Sequence, residues 1–188
     1  MLKNISKFIL KAFGWKIIAN ITPEIKKSVL IVAPHTSNWD FVIRRMVYFA
    51  LNVNVKFLIK KEFFRFPLDQ ILKKLGGIPV KRDSANLVVN HIVNILKKND
   101  SLIITITPEG TRKYNAHWKK GFYHIAQSAK VPIVLGYLDY KKKEAGIGHV
   151  IYTSGNFDKD FKFIEDFYRD KTAKYPDKFN LTKRENRY

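Results

Sequence analysis

The stretch "SVLIVAPHTSNWD", Ser28 to Asp40, joins an apolar run to a polar turn. Residues 28–33 are mostly aliphatic, with two valines and an isoleucine, as in a strand that is covered on both faces of a sheet. Ser37 is followed three residues later by Asp40, which fits the capping box that begins a helix. Residues 38–51 are apolar on most sides, as expected of a buried helix. This order of strand, polar turn and helix is the first unit of an α/β fold.

The rest of the chain repeats this alternation of strand-like and helical patterns. Further strands are predicted at residues 55–59, 77–80, 101–106, 131–138 and 149–153, and further helices at 84–98, 117–129 and 158–171. Strands that alternate with helices pair in parallel through crossover connections. We therefore predict an α/β fold with a mostly parallel central sheet flanked by helices.

The N-terminal residues 2–18 have the pattern of a basic amphipathic helix. Apolar residues recur at spacings of three and four, while four lysines lie mostly elsewhere. Such a helix binds a membrane interface or packs on its own domain, and this segment alone favours neither. We predict a membrane-associating helix at 1–20, one domain at 21–172 and a basic C-terminal segment at 173–188.

The charge of the chain indicates an anionic partner. Lys plus Arg number 35 and Asp plus Glu number 16 among 188 residues, a formal net charge of +19. Such a charge suits nucleic acid, a phospholipid surface, or an acidic protein or cofactor. The absence of cysteine excludes disulfides and thiol nucleophiles. The sequence also lacks an apolar run of the roughly 18 residues that a membrane span needs.

Three polar insertions follow three of the predicted strands. "PHTSNWD" follows 28–33, "KRDS" follows 77–80, and "TPEGTRKYN" follows 101–106. In open α/β sheets, ligands bind in the crevice outside the carboxyl ends of the strands. The sequence therefore predicts that these three insertions converge on one site.

His35 and Asp40 are the residues of these insertions best suited to general base chemistry. Placed in the turn and in the first helical turn, they can meet, and a carboxylate bonded to one imidazole nitrogen leaves the other nitrogen more basic. The helix cap explains Asp40 but not His35. No G-x-S-x-G motif occurs, and Ser37 is better explained as a cap. We therefore expect His35 to activate a hydroxyl group that belongs to the substrate.

The other two insertions supply arginine. Arg82 follows "GGIPVK", and Arg112 closes "PEGTR", in which Gly110 permits a tight turn with exposed N–H groups. Both arginines suit phosphate, although solvated cations or a surface Arg–Glu pair would give the same pattern. The aromatic and basic segment "LIKKEFFRFP" (58–67) suits a lipid interface or partial burial under the N-terminal helix. No histidines and carboxylates stand at metal-ligand spacing, so no metal site is expected.

Five blocks occur in order between about residues 28 and 140. They are His35-x4-Asp40, "KKEFFRFP" (60–67), "GGIPVKR" (76–82), "PEGTR" (108–112) and "VPIV" (131–134). Together they resemble the motifs of the glycerolipid acyltransferases typified by lysophosphatidic acid acyltransferase. Any one block is common, but five in this order are specific. The resemblance implies a glycerol-3-phosphate acyltransferase-like fold and an enzyme that transfers an acyl group from a thioester to a hydroxyl.

The resemblance also implies a role for each matching residue. His35 would deprotonate the acceptor hydroxyl, and Asp40 would orient His35. Arg82 and Arg112 would hold the acceptor phosphate with help from Lys60. Glu109, Gly110 and Thr111 would shape the turn that precedes Arg112. No metal or bound cofactor is implied, and the acyl donor would be acyl-coenzyme A or acyl-carrier protein.

The expected acceptor is a lysophospholipid, namely 1-acyl-sn-glycerol-3-phosphate, and the expected location is peripheral, at the cytoplasmic face of an anionic membrane. Lys81 stands where the family often has aspartate, which leaves open another acceptor such as a lyso-aminolipid. A basic membrane- or nucleic-acid-binding module without activity is the remaining alternative. No nucleic-acid partner is expected, because the basic residues are scattered and form no recognised nucleic-acid motif.

Overall fold

The computed structural model describes residues 2–19, 25–81 and 84–181. The helices are α1 (Leu2–Ala12), α2 (Asn38–Leu51), α3 (Leu68–Lys74), α4 (Ala85–Lys98), α5 (Gly121–Ala129) and α6 (Phe157–Tyr168). The strands are β1 (Lys16–Ala19), β2 (Lys27–Ala33), β3 (Val55–Lys60), β4 (Gly77–Val80), β5 (Leu102–Ile106), β6 (Ile133–Asp139) and β7 (Glu144–Ile151). Two short 3₁₀ turns lie at Lys61–Phe63 and Pro176–Lys178.

The described strands form one sheet in the order β1-β7-β6-β2-β5-β3-β4. Every pair in it is parallel except β6 with β7, which is antiparallel. The predicted α/β fold with a mostly parallel sheet and an N-terminal helix is therefore confirmed. Because β7 reverses direction and β1 is parallel to it, β1 begins at the edge of the sheet where β2 ends.

Strand β2 lies near the middle of the sheet, and opposite layers cover its two faces. Val29 and Ile31 belong to a core shared with α4, α5 and α6, while Leu30 and Val32 pack in a second cluster with Tyr48 of α2. This explains its nearly unbroken apolar sequence. The arrangement also places the turn that follows β2 at the middle of the carboxyl edge.

The predicted helix over residues 2–18 is wrong beyond Ala12. The chain turns at Gly14, whose φ of 77° is a left-handed conformation that glycine adopts without strain. Lys16–Ala19 then pairs with Glu144–Ile147 as the edge strand β1. Residues 20–24 and 182–188, which include limits of the predicted domain division, lie outside the described residues.

Helix α1 is amphipathic, but it buries only part of its apolar surface on the domain. Leu10 packs with Ile43 and Val47 of α2. Four other large apolar side chains of this N-terminal segment, Leu2, Ile5, Phe8 and Phe13, are exposed. One face of the helix therefore packs on the domain, as one of the two predictions expected, and the other face is exposed.

Candidate active site

The turn after β2 is held by the predicted capping box. Ser37 is the N-cap of α2, and its Oγ accepts a hydrogen bond from the Trp39 N–H at 3.2 Å. Asp40 Oδ2 in turn accepts from the N–H groups of Ser37 (2.8 Å) and Thr36 (2.7 Å). Asp40 therefore points back into the turn instead of outward from the helix.

This geometry brings Asp40 to His35. The distance from His35 Nδ1 to Asp40 Oδ2 is 3.5 Å, and the Asp40 carboxylate is fully buried. The imidazole is less enclosed, with 18% of its side chain exposed. The structure thus places the carboxylate inside and the imidazole at a surface that substrate can reach.

Two further residues contact this pair, and neither was predicted from the sequence. Arg44 is buried on α2; it donates from Nη2 to the carbonyl of Pro34, and its Nη1 lies 3.4 Å from His35 Nδ1. Tyr140 donates its hydroxyl to Asp40 Oδ1 at 2.6 Å. Arg44 follows Asp40 by one helical turn, a spacing that indicates a shared face. Tyr140 is 100 positions away in sequence, and nothing local pointed to it.

The surroundings keep the pair in the states that a general base needs. Burial raises the pKa of Asp40, but the hydrogen bond with His35 and the charge of Arg44 outweigh it, with smaller effects of Tyr140 and Ser37, so that pKa is lowered overall. The pKa of His35 is lowered, chiefly by burial and also by Arg44, against the opposing effect of Asp40. At neutral pH the carboxylate is therefore ionised and the imidazole neutral.

Asp40 and Arg44 have opposite preferences for the tautomer of His35. An ionised carboxylate only accepts hydrogen bonds and a guanidinium only donates them, so Nδ1 bonds to Asp40 when protonated and to Arg44 when not. With Nδ1–H directed to Asp40, the lone pair is on Nε2, which can accept a proton. Asp40 thus favours this tautomer, and Arg44 opposes it.

Glu109 was predicted to shape a substrate-binding turn, and the structure places it behind His35. Its side chain is buried, and Oε1 accepts the backbone N–H of His35 at 2.7 Å. Its carbonyl accepts from Asn115 Nδ2 at 2.9 Å. Burial raises the pKa of Glu109 to about 7, in spite of the opposing effects of Arg44 and the His35 N–H. The carboxyl group therefore joins the β5 loop to the β2 loop.

The stability of Glu109→Gln relative to the wild type is expected to be higher at pH 8 than at pH 5. A carboxyl whose folded pKa of about 7 exceeds its ordinary 4.5 makes unfolding easier as pH rises between these values. As pH rises, the wild type loses about 3 kcal/mol in its free energy of unfolding. Glutamine keeps the acceptor for His35 N–H but does not ionise, so the variant avoids this loss. Urea denaturation at both pH values measures the difference. Glu62→Gln, at an exposed position, is the control. If the difference in stability between Glu109→Gln and the wild type were the same at both pH values, the expectation would be contradicted.

His35 opens on a cavity of about 1250 Å³ at the carboxyl edge. Four other predicted residues line the same cavity: Lys60, Gly110, Thr111 and Arg112. Lys113, Lys119 and Lys120 add positive charge to its wall. The rest of the lining is mainly apolar and includes Phe57, Leu72, Val88, Ile92, Phe122 and Ile125. The cavity therefore combines a cationic region beside the imidazole with a long apolar wall.

The turn at Gly110 depends on glycine. Its φ is 70°, its N–H donates to the carbonyl of Thr107 at 3.0 Å, and an added Cβ would lie 2.8 Å from the Lys119 side chain. Arg82 lies outside the described residues, although Val80, two positions before it, lines the cavity. Within residues 2–19, 25–81 and 84–181, no group of histidine and carboxylate side chains could hold a metal ion.

Comparison with protein families gives a match to the family described as Acyltransferase over residues 15–135, more than half of the chain. The chain belongs to the acyltransferase family. The matched range contains His35, Asp40, Lys60 and the "PEGTR" block, so the family predicted from the five blocks is confirmed. The protein is therefore an acyltransferase enzyme.

A solved structure similar to this acyltransferase is the crystal structure of the 1-acyl-sn-glycerophosphate (LPA) acyltransferase, PlsC, from Thermotoga maritima. The two chains are 15% identical, with a TM-score of 0.61 over 92% of this chain and 80% of the other. At this level of identity the similarity establishes the shared fold. A search of curated proteins gave no significant match.

Proposed function

We propose that the protein moves a fatty acyl group from a thioester donor, acyl-coenzyme A or acyl-carrier protein, to a free hydroxyl of a lysophospholipid. The proposed acceptor is 1-acyl-sn-glycerol-3-phosphate and the product phosphatidic acid. One observation carries the proposal: an imidazole prepared as a base, a set of cations and an apolar wall line a single cavity. Each of the three matches one part of the two substrates.

His35 supplies the proton transfers of this reaction. Nε2 removes the proton of the acceptor hydroxyl while the hydroxyl oxygen attacks the thioester carbonyl. Asp40 stabilises the imidazolium that forms. When the tetrahedral intermediate collapses, the carbon–sulfur bond breaks and the thiolate takes the proton from the imidazolium. The products are an ester and a free thiol, and the base is regenerated without an acyl-enzyme.

The cations beside His35 suit the phosphate of the acceptor. Arg112 offers a planar fork of N–H donors and Lys60 a mobile ammonium group, and both line the cavity that His35 enters. A phosphate held there would place the adjacent free glycerol hydroxyl near the imidazole. Arg82 is assigned to the same phosphate on the basis of its sequence block and the position of Val80.

The apolar wall suits a fatty acyl chain. It is formed by side chains of β3, α3, α4 and α5, including Phe57, Leu72, Ile92 and Ile125. Removing a methylene group from water is worth about 0.8 kcal/mol, so a long acyl chain gains binding free energy along such a surface. Because the wall lies beside the His35 region, the thioester carbonyl of a bound chain would lie near the base.

Product analysis by mass spectrometry tests the proposal. The purified enzyme is incubated with a mixed pool of lysophospholipids and lyso-aminolipids and with each thioester donor in turn, beside His35→Ala. Phosphatidic acid formed by the wild type and not by the variant supports it. Acylation of a lyso-aminolipid instead would change the acceptor. The absence of any acylated product with either donor would favour a binding module without activity.

We also propose that the protein binds peripherally to the cytoplasmic face of an anionic membrane. Among the described residues, no helix is long and apolar enough to cross a bilayer. Phe13 at the end of α1 and Phe66 beyond β3 are 68% and 84% exposed, and both lie at the edge where the cavity opens. The charge of +19 would attract such a surface to anionic lipid headgroups.

The double variant Phe8→Ser/Phe13→Ser is expected to weaken binding to vesicles of phosphatidylglycerol and phosphatidylcholine by about tenfold or more, because two large apolar side chains leave the interface. Cosedimentation measures the bound fraction. Removal of residues 1–20 would be a poorer test, since it also deletes β1 from the sheet. Tyr152→Ser is the control, because Tyr152 is exposed beyond β7 at the opposite edge. Equal binding by both variants would contradict a role for α1.

A further inference from the structure

Asp40 has one carboxylate oxygen that does not face His35. Oδ2 receives the backbone N–H groups of Thr36 and Ser37 and lies near His35 Nδ1, whereas Oδ1 receives the hydroxyl of Tyr140 at 2.6 Å. We infer that Tyr140 is a positioning residue for the base: its phenol holds the Asp40 carboxylate in the orientation that presents Oδ2 to His35. This assignment rests on the proposed role of His35 as general base.

The Tyr140 phenol is itself held in place. Tyr140 lies in the turn between β6 and β7, and its backbone N–H donates to the carbonyl of Thr172 at 2.9 Å. The ring packs edge-on against Trp15, with centroids 5.1 Å apart and an interplanar angle of 85°. Contacts from the N-terminal segment and from the chain beyond α6 therefore fix where the hydroxyl points.

The carboxylate needs this partner because it is removed from water. The Asp40 side chain is 1% exposed, and among the described residues the donor found at Oδ1 is Tyr140. A buried acceptor without its hydrogen bond has a high free energy, and the side chain relieves it by rotating toward another donor. Arg44 is such a donor nearby, and a carboxylate drawn to it would release Nδ1 of His35.

The hydrogen bond can be removed without changing the charge of the site. The charged and titratable groups around the pair are Arg44 on α2, Glu109 and Arg112 on the β5 loop, Tyr140, and Tyr175 near Tyr140. Burial, followed by the effect of Asp40, raises the pKa of Tyr140 well above its ordinary value, so the phenol is neutral throughout the working range of pH. Tyr140→Phe therefore deletes one donor and keeps the ring on Trp15.

The test compares Tyr140→Phe with Tyr123→Phe. Tyr123 also donates its hydroxyl to a carboxylate, Asp160 Oδ2 at 2.8 Å, but it is not among the residues that line the cavity. Tyr140→Phe is expected to lower kcat about tenfold or more at unchanged KM. It should also lower the pKa of His35, because an Asp40 carboxylate drawn toward Arg44 no longer stabilises the imidazolium. Tyr123→Phe should lower only the melting temperature.

The pKa of His35 is followed by NMR titration of the imidazole nitrogens in the full chain, with His35→Gln used for assignment. This measurement needs no substrate, so it tests the contact even if the wild type acylates no lysolipid. A His35 titration in Tyr140→Phe that coincides with the wild type overturns the inference. A lower melting temperature with unchanged kcat also overturns it, because that is the result of a merely structural role.

Discussion

Asp40→Ala is expected to lower kcat about 10³-fold, within the range that a positioned general base contributes. With the carboxylate gone, the Arg44 guanidinium remains 3.4 Å from His35 Nδ1, and it can only donate. It would hold the imidazole with its proton on Nε2, the nitrogen that must remove the proton of the substrate. Steady-state kinetics measures kcat, and the colour formed by the released thiol with a chromogenic thiol reagent follows the reaction.

Asp40→Asn separates the tautomer from the charge. The N–H groups of Thr36 and Ser37 point at the Oδ2 position, so the amide oxygen of asparagine is expected there, still able to accept Nδ1–H. The amide would keep the tautomer and lose the charge that stabilises the imidazolium. We therefore expect kcat of Asp40→Asn to lie between those of the wild type and Asp40→Ala. Equal losses in the two variants would mean that the charge, and not the tautomer, is the main contribution of Asp40.

Ser37→Ala controls for the helix cap, which Asp40→Ala also damages. It removes the Oγ acceptor of Trp39 N–H but leaves the backbone N–H that Asp40 accepts. The loss of such a cap costs about 1 kcal/mol of stability. Urea denaturation should therefore show a lower free energy of unfolding for Ser37→Ala, while the kcat of this variant stays close to that of the wild type.

The part of the site that the sequence predicted is the part built from neighbouring residues. The strand, the cap at Ser37 and the approach of Asp40 to His35 depend on contacts within seven positions, which a pattern can reveal. Arg44 had a local signal as well, since it follows Asp40 by one helical turn. Tyr140 and the contact of Glu109 with His35 join loops at the ends of different strands, and only the folded sheet brings them together.

The N-terminal boundary failed for a similar reason. Lys16–Ala19 continues the apolar pattern of α1, and its partner β7 begins at Glu144 instead of 149, where "EAGIG" has few typical strand residues. A Cβ at Gly146 would meet the carbonyl of Ile18 at 1.7 Å, so the pairing of β1 with β7 requires glycine there. A glycine that allows two strands to approach closely also interrupts the apolar pattern by which a strand is recognised in the sequence.

His35→Ala is expected to cause the largest loss, about 10⁴-fold in kcat, because it removes the base itself. KM for the acceptor should change little, since Lys60 and Arg112, which are assigned to its phosphate, remain in the cavity wall. His91→Ala, on the exposed face of α4 and outside the cavity lining, is the matched control and should retain wild-type kinetics. A raised KM at normal kcat would make His35 a binding residue instead.

The double variant His35→Ala/Asp40→Ala determines how the two residues are coupled. If Asp40 acts only by setting the tautomer and charge of His35, it has nothing to act on once the imidazole is gone, and the double variant should be no slower than His35→Ala alone. A further loss on adding Asp40→Ala would mean that Asp40 also supports the reaction by another route, such as the geometry of the turn that it caps. Ser37→Ala combined with His35→Ala separates these cases, because it weakens the cap without removing the carboxylate.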